Sequence, residues 1–114
     1  MHSLKCCDFN DFLISMADGT RQRMLVLLRE REMSVSELNE HFPVKQPTIS
    51  YHLSILRHAN LVLRRRTGKQ TFYRANPDCV VECCQEILSR FKLSVAEEIG
   101  EQTAHLFVQG DTDV

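Results

Sequence analysis

The chain has 114 residues, of which 43% are hydrophobic and 25% are charged. This length supports one domain with a core of modest size, so self-association would bury further apolar surface. No run approaches the roughly 18 apolar residues of a membrane span, and the N-terminus lacks the long apolar segment of a secretion signal, so we expect a cytoplasmic protein with no membrane partner. The five cysteines are an odd number, which favours thiols over a structural disulfide framework.

The net charge of −1 hides a segregation of charge along the chain. Residues 45–74 contain seven Lys and Arg side chains and no Asp or Glu, whereas residues 1–44 carry a net charge of −2 and residues 75–114 one of −6. A basic block of this kind is typical of a surface that contacts phosphate. The alternative is a basic hairpin that is merely solvated.

Apolar residues at helical spacing predict two helices before residue 32. The first begins at Asp8 and has one apolar face, formed by Phe9, Phe12, Leu13 and Met16. The second spans residues 20–31, with Met24, Leu25, Leu27 and Leu28 on its buried side and Arg21, Arg23, Arg29 and Arg31 outside.

Two further helices form a predicted helix-turn-helix. Ser34 and Glu37 make a capping box for a third helix that runs from Val35 to about residue 41. The fourth helix, residues 46–58, buries Ile49, Leu53 and Leu56 and begins with Pro47 at its first position. Its other side is polar and uncharged over the first two turns, with Gln46, Thr48, Ser50, Tyr51 and His52.

After residue 60 the pattern alternates and then becomes helical again. Residues 61–66 and 70–74 predict two strands joined at Gly68, a wing with charge near its tip. Asn76 and Pro77 begin a fifth helix that runs to about residue 90, with an apolar stripe of Val80, Cys84, Ile87, Leu88 and Phe91. The predicted fold is therefore mainly α with a small β-hairpin, a winged helix-turn-helix over residues 8–91, preceded by a cysteine-containing arm (1–7) and followed by a C-terminal helix and tail (92–114).

This arrangement predicts binding of double-stranded DNA. We expect Gln46, Thr48, Ser50, Tyr51 and His52 to read base edges, and Lys45, Arg57, Arg65, Arg66 and Lys69 to bind phosphate. Tyr51 could instead pack against a neighbouring helix. A winged helix can also serve as a protein-interaction module, but such a module needs no acid-free stretch. No catalytic residue is expected, since the sequence lacks a Gly-rich phosphate loop, a nucleophile elbow and an H-E-x-x-H pair.

Three segments, in order, resemble the ArsR/SmtB family of bacterial winged helix-turn-helix repressors, over roughly Phe9 to Phe91. The first segment, residues 16–21, is similar to the family's LADPTR opening. The second is residues 46–53 with Leu56 and Arg57, and the third is residues 68–70 followed by Phe72-Tyr73-Arg74. The resemblance implies a homodimer built from the first and fifth helices, which suits the two apolar stripes. It also implies that the protein represses an operon and releases DNA when an inducer binds.

The family's usual metal sites are missing from this sequence. Arsenic and cadmium sensors of the family often carry three cysteines on the third helix, where this chain has oxygen or amide side chains in residues 32–39. Zinc sensors use His, Asp and Glu along the fifth helix, but Cys79 stands near the first of those positions and Arg90 and Leu93 follow. The inducer must therefore be inferred from the cysteines.

Five cysteines remain as candidate ligands: Cys6, Cys7, Cys79, Cys83 and Cys84. If the first helix packs beside the fifth across a dimer, the N-terminal pair reaches the edge of the fifth helix and three thiolates converge. Thiolates without histidine favour a soft guest, and the resemblance points to As(III) or Sb(III) before Cd or Pb; DNA binding itself needs no cofactor. The thiols could instead form a redox switch, through a disulfide or a persulfide-linked bridge. They could also bind nothing, in which case Cys84 is a small core residue.

Overall fold

The computed structural model describes Cys6 and residues 8–93. The elements in this part are α1 (Phe9–Met16), α2 (Gly19–Glu30), β1 (Met33–Ser34), α3 (Val35–Asn39), α4 (Gln46–His58), β2 (Val62–Thr67), β3 (Gln70–Ala75) and α5 (Pro77–Arg90). The predicted C-terminal helix and Cys7 lie outside the described residues. In the described part of the chain, every helix is too short or too polar to cross a membrane.

Side-chain caps set where three of the helices begin. The Asp8 carboxylate accepts hydrogen bonds from the first backbone N–H groups of α1, and Asp18 accepts one from Arg21 in α2. The predicted capping box is confirmed: the Glu37 N–H donates to Ser34 Oγ at 3.2 Å, and the Ser34 N–H donates to Glu37 Oε1 at 2.8 Å. These bonds satisfy N–H groups that a helix cannot pair internally.

The fold class predicted from the sequence is confirmed, with one additional strand. β3 lies in the centre of a three-stranded antiparallel sheet, with β1 on one side and β2 on the other. The wing register pairs Val62 with Ala75 and Thr67 with Gln70, and Gly68 turns the chain with φ +62°. The sequence analysis missed β1 because two residues carry no alternating pattern.

The core lies between α4, the other helices and the sheet. The predicted inner face of α4 is confirmed, since Ile49, Leu53 and Leu56 are each at most 2% exposed. They pack with buried residues from the surrounding elements, among them Met24, Leu28, Leu38, Leu61 and Val62. The orientation of α4 is thereby fixed by the core, which leaves its opposite side for other contacts.

The apolar stripe predicted for α5 is half-buried or exposed in the single chain. The buried residues of α5 are Cys79, Cys83 and Glu86, whereas Cys84 and Phe91 are exposed. α1 shows the same inversion in part, because Ser15 is buried and Leu13 is 42% exposed. A hydrophobicity pattern identifies the more apolar side of a helix, but the neighbouring elements decide which side is covered.

Smaller differences concern helix ends. Asn76 occupies the N-cap position of α5 but its amide donates to the Asn60 carbonyl at 2.9 Å, so it does not cap the helix with its side chain. Pro47 is the second residue of α4 rather than the first, since Lys45 is the N-cap.

Candidate functional site

The leading end of α4 presents a polar surface. Gln46, Thr48, Ser50 and Tyr51 are exposed, and Tyr51, at 61% exposure, is not packed against another of the helices that the structure describes. The Ser36 hydroxyl donates to Gln46 Oε1 at 3.3 Å, which links α3 to the start of α4. The α3-turn-α4 unit therefore holds the side chains expected to read base edges on one accessible helix end.

His52 differs from these residues because it is half-buried and already engaged. Its Nδ1 atom lies 3.0 Å from Nη1 of Arg21. The same guanidinium donates from Nε to the Ser15 carbonyl at 2.7 Å and from Nη2 to the Ile14 carbonyl at 3.1 Å. The expectation that Arg21 lies outside is wrong, because the last carbonyls of α1 lack partners within their helix and Arg21 supplies the donors.

Asp18 lies beside this group and caps α2. The hydrogen bond from the Arg21 backbone N–H lowers the pKa of Asp18, and the positive charge of Arg21 lowers it further against the opposing effect of burial. The junction of α1, α2 and α4 thus holds an ionised carboxylate and a guanidinium in fixed positions.

In the wing, Arg65 forms a bidentate ion pair with Glu32. The Arg65 Nε and Nη2 atoms donate to the two carboxylate oxygens at 2.7 and 2.8 Å, and the guanidinium also contacts Thr67 and lies 5.1 Å from the centre of the Phe72 ring. Hydrogen bonding to Arg65 lowers the pKa of Glu32, and the same bond raises the pKa of Arg65. Arg65 must therefore leave or share this pair to contact phosphate.

The other predicted phosphate ligands are all exposed: Lys45, Arg57, Arg66 and Lys69. Since side chains alternate along a strand, Arg64 and Arg66 share the face of β2 opposite to Arg65. Arg64 is also exposed, but it was not named as a phosphate ligand from the sequence. Its position one residue before Arg65 on an alternating strand could have identified it as a further candidate.

Three cysteines come together where the N-terminal arm meets α5. The sulfur atoms of Cys6, Cys79 and Cys83 lie within 4.8 Å of one another, and both α5 residues are buried. Cys79 and Cys83 are four residues apart and so share one side of the helix. Asn60 donates a side-chain hydrogen bond to the Cys6 carbonyl, which holds the arm against the end of α4. We refer to these residues as the sulfur cluster.

Cys6 and Cys79 are joined as a disulfide, with their Cα atoms 5.8 Å apart. This separation is within the usual range for a disulfide, whereas the sequence analysis favoured thiols. The three sulfurs of the cluster come from one chain, whereas the sequence left open whether they come from one subunit or two. Cys84 lies outside the cluster and is exposed rather than part of the core.

Glu86 continues the buried side of α5 beyond the cluster. It is 2% exposed, and its Oε2 atom accepts a hydrogen bond from Arg90 Nε at 2.7 Å. Arg90 lies 4.0 Å from the centre of the Phe9 ring, so the pair also joins α5 to α1. Within the described residues, Glu86 Oε1 makes no hydrogen bond. The i,i+4 spacing of Glu86 and Arg90 was visible in the sequence, but the burial of Glu86 was not.

The chain is similar to known bacterial regulators. A family model described as bacterial regulatory protein, arsR family, matches residues 18–63. The arsenic resistance transcriptional regulator ArsR1 of Pseudomonas putida is 40% identical over 98 residues, covering 76% of each chain. The arsenical resistance operon repressor of Escherichia coli is 41% identical over 63 residues, covering 54% of each.

The fold is also similar to solved structures. A crystal structure described as a possible transcriptional regulator for arsenical resistance superposes with a TM-score of 0.66 at 30% identity, covering 84% of this chain and 92% of that one.

Proposed function

We propose, starting from the fact that this chain belongs to the arsR family of bacterial regulatory proteins, that it represses an operon and leaves its operator when a thiophilic inducer binds the sulfur cluster. The members of this family are DNA-binding transcriptional regulators rather than enzymes. The proposal adds which residues contact DNA, which inducer binds, and that the protein acts as a cytoplasmic dimer.

In the proposed complex, the leading end of α4 lies in the major groove. Gln46, Thr48, Ser50, Tyr51 and His52 contact base edges, since each can donate or accept hydrogen bonds without a formal charge. The wing and the flanks of α4 contact phosphate through five basic residues: Lys45, Arg57, Arg65, Arg66 and Lys69. The exposure of all these side chains except the half-buried His52 supports the assignment.

Binding of the operator through this surface is proposed to require two copies of the chain. A symmetric repressor places its two recognition helices about 34 to 36 Å apart to meet successive major grooves. Leu13 on α1 and Val81 and Phe91 on or just after α5 are at least 42% exposed in the single chain. We propose that they are covered by α1 and α5 of a second copy.

The inducer is proposed to be As(III) or Sb(III), with Cd or Pb as weaker candidates. Three sulfur donors without an imidazole or carboxylate among them suit a soft, thiophilic ion. Cys6, Cys79 and Cys83 would hold it in the reduced protein, and such an ion would cross-link the arm to α5. The relatives named for arsenic resistance support this choice. Cys7 and Cys84, the remaining cysteines of the prediction, are not needed for a three-sulfur site.

A second candidate, a redox switch, rests on the Cys6–Cys79 disulfide. In that case the two thiols lose two electrons and two protons to an oxidant such as a hydroperoxide, which is reduced to an alcohol and water. A persulfide can act similarly. One thiolate attacks its outer sulfur and releases the organic thiol, and the second thiol then attacks the cysteine-bound sulfur of the new persulfide, which forms the disulfide and releases hydrogen sulfide. Both candidates use the same pair of residues.

Either event at the cluster can reach α4 through α1. Cys6 lies two residues before Asp8, the cap of α1, and α1 packs against both α4 and α5. The carbonyls at the other end of α1 hold Arg21, which contacts His52 on α4. A change in the arm therefore displaces the helix to which the recognition helix is attached, and a coupling of roughly 1 to 3 kcal/mol suffices for induction.

The convergence of three sulfurs is the single observation that supports this proposal most. We would titrate a fluorescent operator complex with arsenite, cadmium and an organic persulfide, using reduced protein, and follow release by anisotropy. Cys83→Ser should abolish release by arsenite, whereas Cys84→Ser, a matched change on the neighbouring exposed residue, should leave it intact. If the wild-type complex is released by the persulfide but not by arsenite or cadmium, the redox candidate is preferred; equal behaviour of the two variants with arsenite contradicts the metalloid site.

A further inference from the structure

Arg21 determines which nitrogen of the His52 ring carries the hydrogen. Nη1 of Arg21 lies 3.0 Å from His52 Nδ1. A guanidinium has only N–H donors, so the atom it faces must offer a lone pair. Nδ1 therefore accepts, and the single hydrogen of the neutral ring resides on Nε2.

The position of Arg21 is fixed independently of His52. Its Nε and Nη2 atoms donate to the carbonyls of Ser15 and Ile14 at 2.7 and 3.1 Å, and its backbone N–H donates to Asp18 at 3.1 Å. Arg21 is only 8% exposed. With Nε and Nη2 committed to carbonyls at the end of α1, Nη1 is the guanidinium nitrogen that faces the ring, so α1 and α2 place a hydrogen-bond donor against a residue on α4.

We propose that Arg21 is a positioning residue for DNA recognition, which holds His52 in the Nε2–H form so that α4 offers a hydrogen-bond donor at this position. The inference rests on the proposed function, in which α4 enters the major groove. A donor there matches an acceptor on the base edge, such as N7 or O6 of guanine, and opposes the amino groups of cytosine and adenine. The opposite ring form would reverse this preference.

The ring form can be measured without DNA. In the full-length protein labelled with ¹⁵N-histidine, two-bond couplings from the ring carbon-bound protons distinguish a protonated from an unprotonated ring nitrogen, and His52→Asn identifies the signal. We expect His52 in the Nε2–H form in the wild type. Arg21→Met and the milder Arg21→Lys should each raise the fraction with hydrogen on Nδ1. An Nδ1–H ring in the wild type would overturn the inference, whether or not the variants fold.

Two substitutions of His52 test the roles of its two ring nitrogens separately in the DNA complex. The amide of Asn places an oxygen near the position of Nδ1, and the longer Gln can place an N–H₂ group near that of Nε2. His52→Gln should keep operator affinity within about threefold of the wild type and lower the melting temperature. His52→Asn should keep the melting temperature and lower operator affinity about tenfold or more, the range expected for one base contact. The reverse pattern would overturn the inference.

The two levels of the proposal fail in different ways. Wild-type protein that retards no duplex from its own promoter at low ionic strength overturns the proposed function and, with it, the role of His52 in reading DNA. Wild-type protein that binds its operator while His52 has its hydrogen on Nδ1 overturns only the inference about Arg21.

Discussion

The half of the molecule built around α4 and the half formed by α1 and α5 follow opposite rules. In α4 the apolar residues are buried within the chain and the polar ones are exposed. In α1 and α5, Leu13, Val81 and Phe91 are exposed while Ser15 and Glu86 are buried. The difference teaches that α4 is completed by its own chain, whereas α1 and α5 have an apolar surface that a second copy would complete under the proposed function.

Truncating Leu53 tests the first half of this comparison and should have the largest effect. Leu53 is 2% exposed in the core, so Leu53→Ala should lower the free energy of unfolding by about 2 to 5 kcal/mol, because it removes buried methyl groups and leaves a cavity. The measurement is urea denaturation followed by circular dichroism.

Leu13→Ala is the matched control, since it makes the same chemical change on the exposed face of α1. Its effect should be small at low protein concentration and should grow with concentration, because the side chain is proposed to pack against a second copy. A loss as large as that of Leu53→Ala at every concentration would erase the distinction between the two halves.

Glu86 tests whether the buried polar side of α5 stabilises the α1–α5 junction. Glu86→Ala should lower the free energy of unfolding by about 1 to 3 kcal/mol, because Arg90 loses its hydrogen-bonded partner and a cavity remains. Gln85→Ala, on an exposed neighbour, should stay within about 0.5 kcal/mol. If Glu86→Ala proves neutral, the ion pair contributes nothing and the apolar contacts of α1 with α5 suffice.

The smallest effect is expected in the wing. Glu32→Gln removes the negative charge that holds Arg65, and should leave stability unchanged, because exposed ion pairs contribute little. The slope of log affinity against log salt should steepen by about one unit if the released Arg65 then contacts a phosphate. Glu40→Gln, which removes an exposed charge elsewhere, controls for net charge. An unchanged slope would show that the pair with Glu32 does not keep Arg65 from a phosphate contact.

Much of the half built around α4 was predictable because its signals are local. The capping box of Ser34 and Glu37, the 46–58 bounds of α4 and the turn at Gly68 each depend on residues close in the chain. The buried face of α5 was not predictable from spacing alone. Cysteines count as weakly apolar and Glu86 as polar, so their shared burial depends on which elements pack against that side.

The candidate sites, too, were predictable in part from the sequence and in part only from the structure. The sequence identified the polar end of α4 and the cysteines as the groups of interest, but it left open which sulfurs meet. The structure brings Cys6 to Cys79 and Cys83 across more than seventy residues of chain. It also turns Arg21, expected outside, toward His52.

The sequence by itself determined the order of the elements, the inner face of α4 and the separation of basic from acidic segments, since each follows from residue type and short-range spacing. Only the tertiary structure decided which three sulfurs converge, which side of α5 is buried and which nitrogen of His52 faces Arg21. These depend on contacts between residues distant in the chain, whose distances and directions no local pattern encodes.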